Sequence, residues 1–490
     1  MKVALITSGQ EVMGVEHLSA AVKQRGHEVR LFFDPQIFGG AMFIRVEYLK
    51  ERMDLQSKIA AQILEWSPDL AGFSCMTHNY YWCLEIAQKI KAKNPSIKII
   101  FGGIHPTSLP ETVLTNECVD MVAMGESDIS FPELLDRLEN GDKQPEVGGI
   151  CYRNNGDFIF NPVFPLENDL DTLPLADKEI YYEKVPAFRK YPYSIMASRG
   201  CPYACTYCCN DVLRRLYKGQ QLVRTRSVDS VISELKMAKE RYGIREVRFY
   251  DEVFPFKVEW LKEFTERYVL EIGLPFQITY HVKFASEEQM RLLKSAGCFQ
   301  VVFGMQSASE RIRHDVCNRT YSNAEVIQAI DICKRNDISI ILEHIFGLPF
   351  ETHIEQEEAV EFYRQLQPDI IFTYWLTYYP ETSIIQHGLD AGLLQENDLP
   401  NIREGRGSYY QVGTAIRDRP VLLVYQTLLD LIPLLPVGMH RWISHQTWLR
   451  RLMPRGYLVH AGLLFMAGIK LGRNEYTKYI QVAFSKKNVP

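Results

Sequence analysis

The chain lacks a positive charge excess: among 490 residues, 55 Lys and Arg stand against 60 Asp and Glu, a formal net charge of −5. Phosphate binding needs a dense basic surface, so nucleic acid is excluded as the main partner. Also missing is any run of about 20 apolar residues, the length a bilayer-spanning helix requires. The opening MKVALITSG has no long apolar stretch of the kind a secretory signal carries. A cytoplasmic protein is the expectation. No solenoid-type repeat and no low-complexity tract is present, and no second C-x2-C or H-x3-H pair offers the ligands of a structural zinc site.

What is present is a 46% apolar chain, long enough for two or three domains with real cores. In a reducing compartment its 11 cysteines do not form a disulfide framework. Cys75, Cys83, Cys118, Cys151, Cys298, Cys317 and Cys333 sit singly in apolar stretches and read as small buried hydrophobes. The other four crowd into SRGCPYACTYCCN, residues 198–210.

Residues 1–142 alternate β-rich runs (KVALITS, EVRLFFD, LAGFSCM, IKIIFGG, VDMVAMG) with helical patterns. That alternation predicts an α/β, doubly wound, Rossmann-like parallel sheet, with ligands beyond the carboxyl ends of its strands. Residues 143–185 read as a hairpin at an Asn-Gly turn followed by an acidic, proline-punctuated linker. Over 186–395, six β-type runs separated by helices predict a partial (βα)6 barrel with its site at the C-terminal mouth. Residues 396–490 form a helical region.

Cys201, Cys205 and Cys208 make C-x3-C-x2-C directly after the first barrel strand, with Gly200 and Pro202 bending the backbone. Four-iron clusters offer four thiolate positions, so three sulfurs leave one iron open to chelate a substrate or cosubstrate. Cys209 is left out, because adjacent side chains in an extended loop point apart.

CPYACTYC opening a (βα)6 pattern resembles the signature of the radical S-adenosylmethionine (radical SAM) superfamily. The resemblance implies a [4Fe-4S] cluster on the three cysteines, S-adenosylmethionine on the free iron, and one-electron cleavage to a 5′-deoxyadenosyl radical. It further implies SAM contacts from Tyr207, from Asp251 and Glu252 in YDEVF, and from Gln306, Ser307 and Arg319 in FGMQSASERIRHDVCNR. At Gln306 relatives usually carry glutamate, and at Lys283 often arginine. FGLPFET at 346–352 resembles the turn beside the adenine.

FGGIHPT and MGE in the first domain resemble the cobalamin-binding domain of B12-dependent radical SAM enzymes. That resemblance nominates Ser8, Gly9, Ser74, Thr77, Gly102, Gly103, His105, Gly125 and Glu126 as cobalamin contacts. No D-x-H-x2-G string is present, so a histidine below cobalt is not expected; His17, His78 and His105 are candidates only as neighbours.

The family likeness implies an oxygen-sensitive enzyme with an external one-electron donor, methylating an unactivated carbon of a small or hydrophobic substrate. A ring-forming relative of the anaerobic magnesium-protoporphyrin ester cyclase and a non-enzymatic cobalamin or redox sensor are its rivals. Residues 441–490 carry nine Lys and Arg against the single Glu475. Together with Trp442 and Trp448, they suit either peripheral membrane contact through 420–490 and a lipid-like substrate tunnel, or an ordinary helical cap.

Overall fold

The computed structural model describes residues 1–35, 55–143, 145–154, 156–406 and 419–471. Asn155 of the anticipated turn and the basic residues beyond 471 lie outside them. Seven strands form the first sheet: β1 (Lys2–Ser8), β2 (Glu28–Asp34), β3 (Leu70–Ser74), β4 (Lys98–Gly102), β5 (Met121–Ala123), β6 (Ile150–Asn154) and β7 (Asp157–Phe160). Their order is β2-β1-β3-β4-β5-β6-β7, parallel through β5 and antiparallel thereafter. Central strands such as β1 are apolar nearly throughout because helices cover both faces. The expected hairpin exists and extends this sheet along β5.

The acidic stretch after it is no loose tether. Ile180, Tyr181, Tyr182 and Phe188 are buried on one face of the first sheet. Lys178, fully buried, donates to Glu16 at 2.6 Å and to Glu11 at 3.1 Å. A buried cation needs such partners, and these lie more than 160 residues away in sequence.

The second sheet contains β8 (Tyr193–Ile195), β11 (Val247–Phe249), β12 (Phe276–Tyr280), β13 (Cys298–Gln306), β14 (Ser339–Phe346) and β15 (Ile370–Trp375). All six are parallel and adjacent in chain order, the arrangement of an open (βα)6 barrel. Between β8 and β11, β9 (Ser198–Arg199) and β10 (Arg224–Thr225) pair antiparallel and clamp the two ends of the cysteine segment. The barrel helices begin where the sequence offers reciprocal caps: Ser286 with Gln289, Ser322 with Glu325, Thr352 with Glu355. Helices 419–431, 437–445, 447–452 and 457–470 follow. The first packs under the barrel, where Gln426 donates to Thr373 at 2.9 Å. Among the described residues no helix is long and apolar enough to cross a membrane.

Candidate active site

Gly200 turns the chain out of β9 with φ +85°, and a Cβ there would strike the Leu222 carbonyl, so only glycine fits. Downstream, the loop is pinned to the segment after β13. The Thr206 amide donates to the Cys317 carbonyl at 3.3 Å, and Asn318 Nδ2 to the Ala204 carbonyl at 2.8 Å. Cys201, Cys205 and Cys208 lie within electrostatic reach of one another. Cys205 is buried and the other two are half-buried, whereas all seven scattered cysteines are buried, as their surroundings in the sequence imply.

The donor set fits an iron-sulfur cluster. Arg319 donates from Nη1 to Cys205 Sγ at 3.4 Å and to the Tyr207 hydroxyl at 3.0 Å, and from Nη2 to the Gly304 carbonyl at 2.6 Å. The guanidinium thus stands against one of the three sulfurs. Cys209 contributes through its neighbour: its hydrogen bond to Cys208 pulls that thiol down to about 7. Tyr207 is therefore held on Arg319, with its ring in the apolar cluster beside the loop.

Two nominated SAM contacts are buried on partners within the protein. Asp251 is 2% exposed, and its carboxylate accepts from the Ser198 amide and hydroxyl, both at 2.5 Å, and from the Ala197 amide at 3.3 Å. It braces the backbone ahead of the cysteines. Ser307 is 1% exposed and donates to Glu351 at 3.0 Å, tying the end of β13 to the FGLPFET turn. Glu252 keeps its candidacy: it is exposed beside the loop and within electrostatic reach of Cys201 and Cys208.

Gln306 has φ +69° at a register shift in the β13–β14 pairing, a strained bulge that re-aims its side chain. The side chain closes over the bare Gly304 and donates to Glu343 Oε2 on β14 at 3.5 Å. Glu343 also accepts from the Tyr374 hydroxyl at 3.4 Å, and burial raises its pKa. Sequence reasoning missed this carboxylate. The available signal was one glutamate inside SIILEHIF, an otherwise apolar strand apart from His344 and Ser339.

In the first domain, Ser8, Gly9 and Ser74 open onto the barrel as expected, joined there by Met76 and His78. Asn79 knits this rim by donating to Ser8 at 3.4 Å and to the Ser74 carbonyl at 3.2 Å. Gly103 is exposed with φ +104°, Gly102 beside it is half-buried, and Gly9 is buried with φ +85°, so these rim positions carry no side chain. His105 and Thr77 do not join that rim. Both are buried and bond to each other at 3.2 Å, and burial lowers the His105 pKa to about 4. Gly125 and Glu126 belong to the seam between domains. The Tyr217 hydroxyl crosses where a Gly125 side chain would stand and accepts from the Glu126 amide at 2.7 Å. The Glu126 carboxylate is taken by Arg224 and by Arg199, the latter at 3.0 Å.

One cavity of about 670 Å³ joins these parts. Its walls run from Ser8, Ser74 and His78 through Glu343 and Tyr374 in the barrel to Leu464 in the last described helix.

A Rossmann-like sheet and an open parallel barrel share this cavity, and a loop with three thiols follows the first barrel strand. Residues 2–135 match the B12 binding domain and residues 195–363 the radical SAM superfamily. The chain belongs to the cobalamin-dependent radical SAM enzymes, whose cofactors are a [4Fe-4S] cluster, S-adenosylmethionine and cobalamin. An uncharacterized methyltransferase of Pyrococcus horikoshii is 28% identical over 78% of this chain and 79% of its own length. An anaerobic magnesium-protoporphyrin IX monomethyl ester cyclase of Synechocystis is 22% identical over 85% of each. The cobalamin-dependent S-adenosylmethionine radical enzyme OxsB shares the fold, with TM-score 0.67 and 16% identity over 98% of this chain and 74% of that one.

Proposed function

We propose that this enzyme transfers a methyl group to an unactivated carbon of a small or hydrophobic molecule. The observation that carries the reading is the cavity that the first-domain rim and the barrel share, which runs from Ser8 and Ser74 to Glu343, the hydrogen-bond partner of Gln306. The methyltransferase of Pyrococcus horikoshii supports the same reaction class.

When bound, the cluster and S-adenosylmethionine supply one-electron hydrogen abstraction, and cobalamin supplies a transferable methyl group. The chain's own residues prepare the site. Cys201, Cys205 and Cys208 hold iron, and Arg319, donating to Cys205, presents a cation to the carboxylate of SAM. Glu252 offers its carboxylate to the SAM amino group. Gln306 and Glu343 together take the place of the usual glutamate beside the ribose. Val302, Ile341, Phe372 and Trp375 line the chamber and exclude water from it. The reading includes an external one-electron donor, oxygen sensitivity, a cytoplasmic location and a peripheral membrane contact through 420–490.

Anaerobic reconstitution with iron, sulfide and cobalamin tests it. Formation of 5′-deoxyadenosine, abolished in Cys205→Ala, together with a product heavier by one methyl group is the expected result. A product of unchanged carbon count assigns the cyclase-like outcome, and absence of SAM cleavage under reducing conditions assigns the sensor.

A further inference from the structure

Helix 457–470 is apolar on two opposite sides. Tyr457, His460, Leu464 and Gly468, followed by Leu471, line the cavity at spacings of three and four, hence from one helix face. Leu458, Met466 and Ile469 are 80%, 48% and 54% exposed, and with exposed Gly462 they recur at spacings of four, four and three on another face. A cap helix bathed in water has one apolar stripe and one polar stripe. This helix instead stands as a wall with apolar surface inside and out.

The preceding helices continue the outer surface. Met439 and Trp442, three apart in helix 437–445, are 52% and 56% exposed. Trp448 and Leu452, four apart in helix 447–452, are 56% and 74% exposed. Arg441, Arg451, Arg455 and Lys470 are exposed among them, and no Asp or Glu occurs from 437 to 470.

We propose that this face docks on an anionic lipid bilayer, lying in its interface, and that the cavity behind helix 457–470 takes an amphiphile from that bilayer. Exposed tryptophans and leucines suit the boundary between headgroups and acyl chains, and arginines suit anionic headgroups. A second copy of the chain suits the face poorly, since a twofold contact sets the arginines opposite themselves, and the carboxylate beside them, Glu361 at 3.7 Å from Arg441, belongs to the same chain. The substrate half of the proposal rests on the cavity being the reaction chamber; the docking half does not.

The test is flotation of the anaerobically reconstituted full chain with vesicles of phosphatidylcholine alone or mixed with phosphatidylglycerol. The expected result is binding at least about tenfold tighter to the mixed vesicles and weakened by salt. Trp442→Ser/Trp448→Ser should lose at least about tenfold of that binding while retaining iron, cobalamin and basal 5′-deoxyadenosine formation. Wild-type enzyme that floats with neither vesicle, or a variant that floats equally well, overturns the docking. So does a wild-type dimer that the variant dissolves. A fluorescent long-chain fatty acid probes the cavity: binding weakened in Leu464→Phe or Leu464→Trp supports the substrate class, and equal binding to all three proteins overturns it. Flotation without any SAM cleavage supports docking and contradicts the catalytic reading, so the two failures are distinguishable.

Discussion

Arg319 spans the distance between the cysteine loop and the barrel strand beside it, touching Cys205 and Tyr207 through Nη1 and Gly304 through Nη2. Its loss removes charge-assisted hydrogen bonds worth on the order of 2 kcal/mol each. Arg319→Leu should retain iron yet need at least about tenfold more S-adenosylmethionine to perturb the cluster's electron paramagnetic resonance spectrum. Glu343→Gln tests the neighbouring carboxylate: weaker SAM response is expected, with recovery when Gln306→Glu is added so that the pair is exchanged. Asp251 governs stability instead. Burial pushes its carboxyl from the ordinary 3.8 to about 7, outweighing its hydrogen bonds from the Ser198 and Ala197 backbone. The folded state thus holds the proton more tightly than the unfolded one. This stabilising contribution is complete below about pH 4 and is lost as pH rises through about 7. Melting temperature followed against pH should show that decline, on the order of 4 kcal/mol, and Asp251→Asn should remove it.

At the scale of elements, strands and loops differ in how much the sequence discloses. The parallel strands were legible because burial on both faces writes them as unbroken apolar runs, KVALITS and IIFTYWL among them. The cysteine loop was legible because its C-x3-C-x2-C spacing lies within a single segment. Asp251, Ser307, His105 and Glu126 lie at strand ends, where position is readable but direction is not. Each turns to a partner remote in sequence, as Glu126 does to Arg199 and Arg224. Within the 143–185 hairpin and linker, Asp177 and Lys178 pair with Ser19 and Glu16 across the fold, partners that local sequence does not disclose. The seam gives its own prediction: Arg224 is 2% exposed, so Arg224→Met strips a buried partner from Glu126. A loss of about 3 kcal/mol in denaturant unfolding is expected.

Across the whole molecule, two sheets with separate cores meet edge to mouth, and a helical floor closes the barrel from below. The β9–β10 clamp joins these levels: Arg199 holds Glu126 and Asp128 of the first domain one residue before Gly200 opens the cysteine loop. Domain placement and cluster placement are therefore mechanically one problem. The account's central claim is that three thiolates hold a cluster with one iron left for S-adenosylmethionine. The direct measurement is metal content and electron paramagnetic resonance of anaerobically prepared enzyme before and after S-adenosylmethionine is added. About four irons per chain and a spectrum that shifts on addition are predicted; bound zinc, or a cluster whose spectrum does not change, would contradict the account.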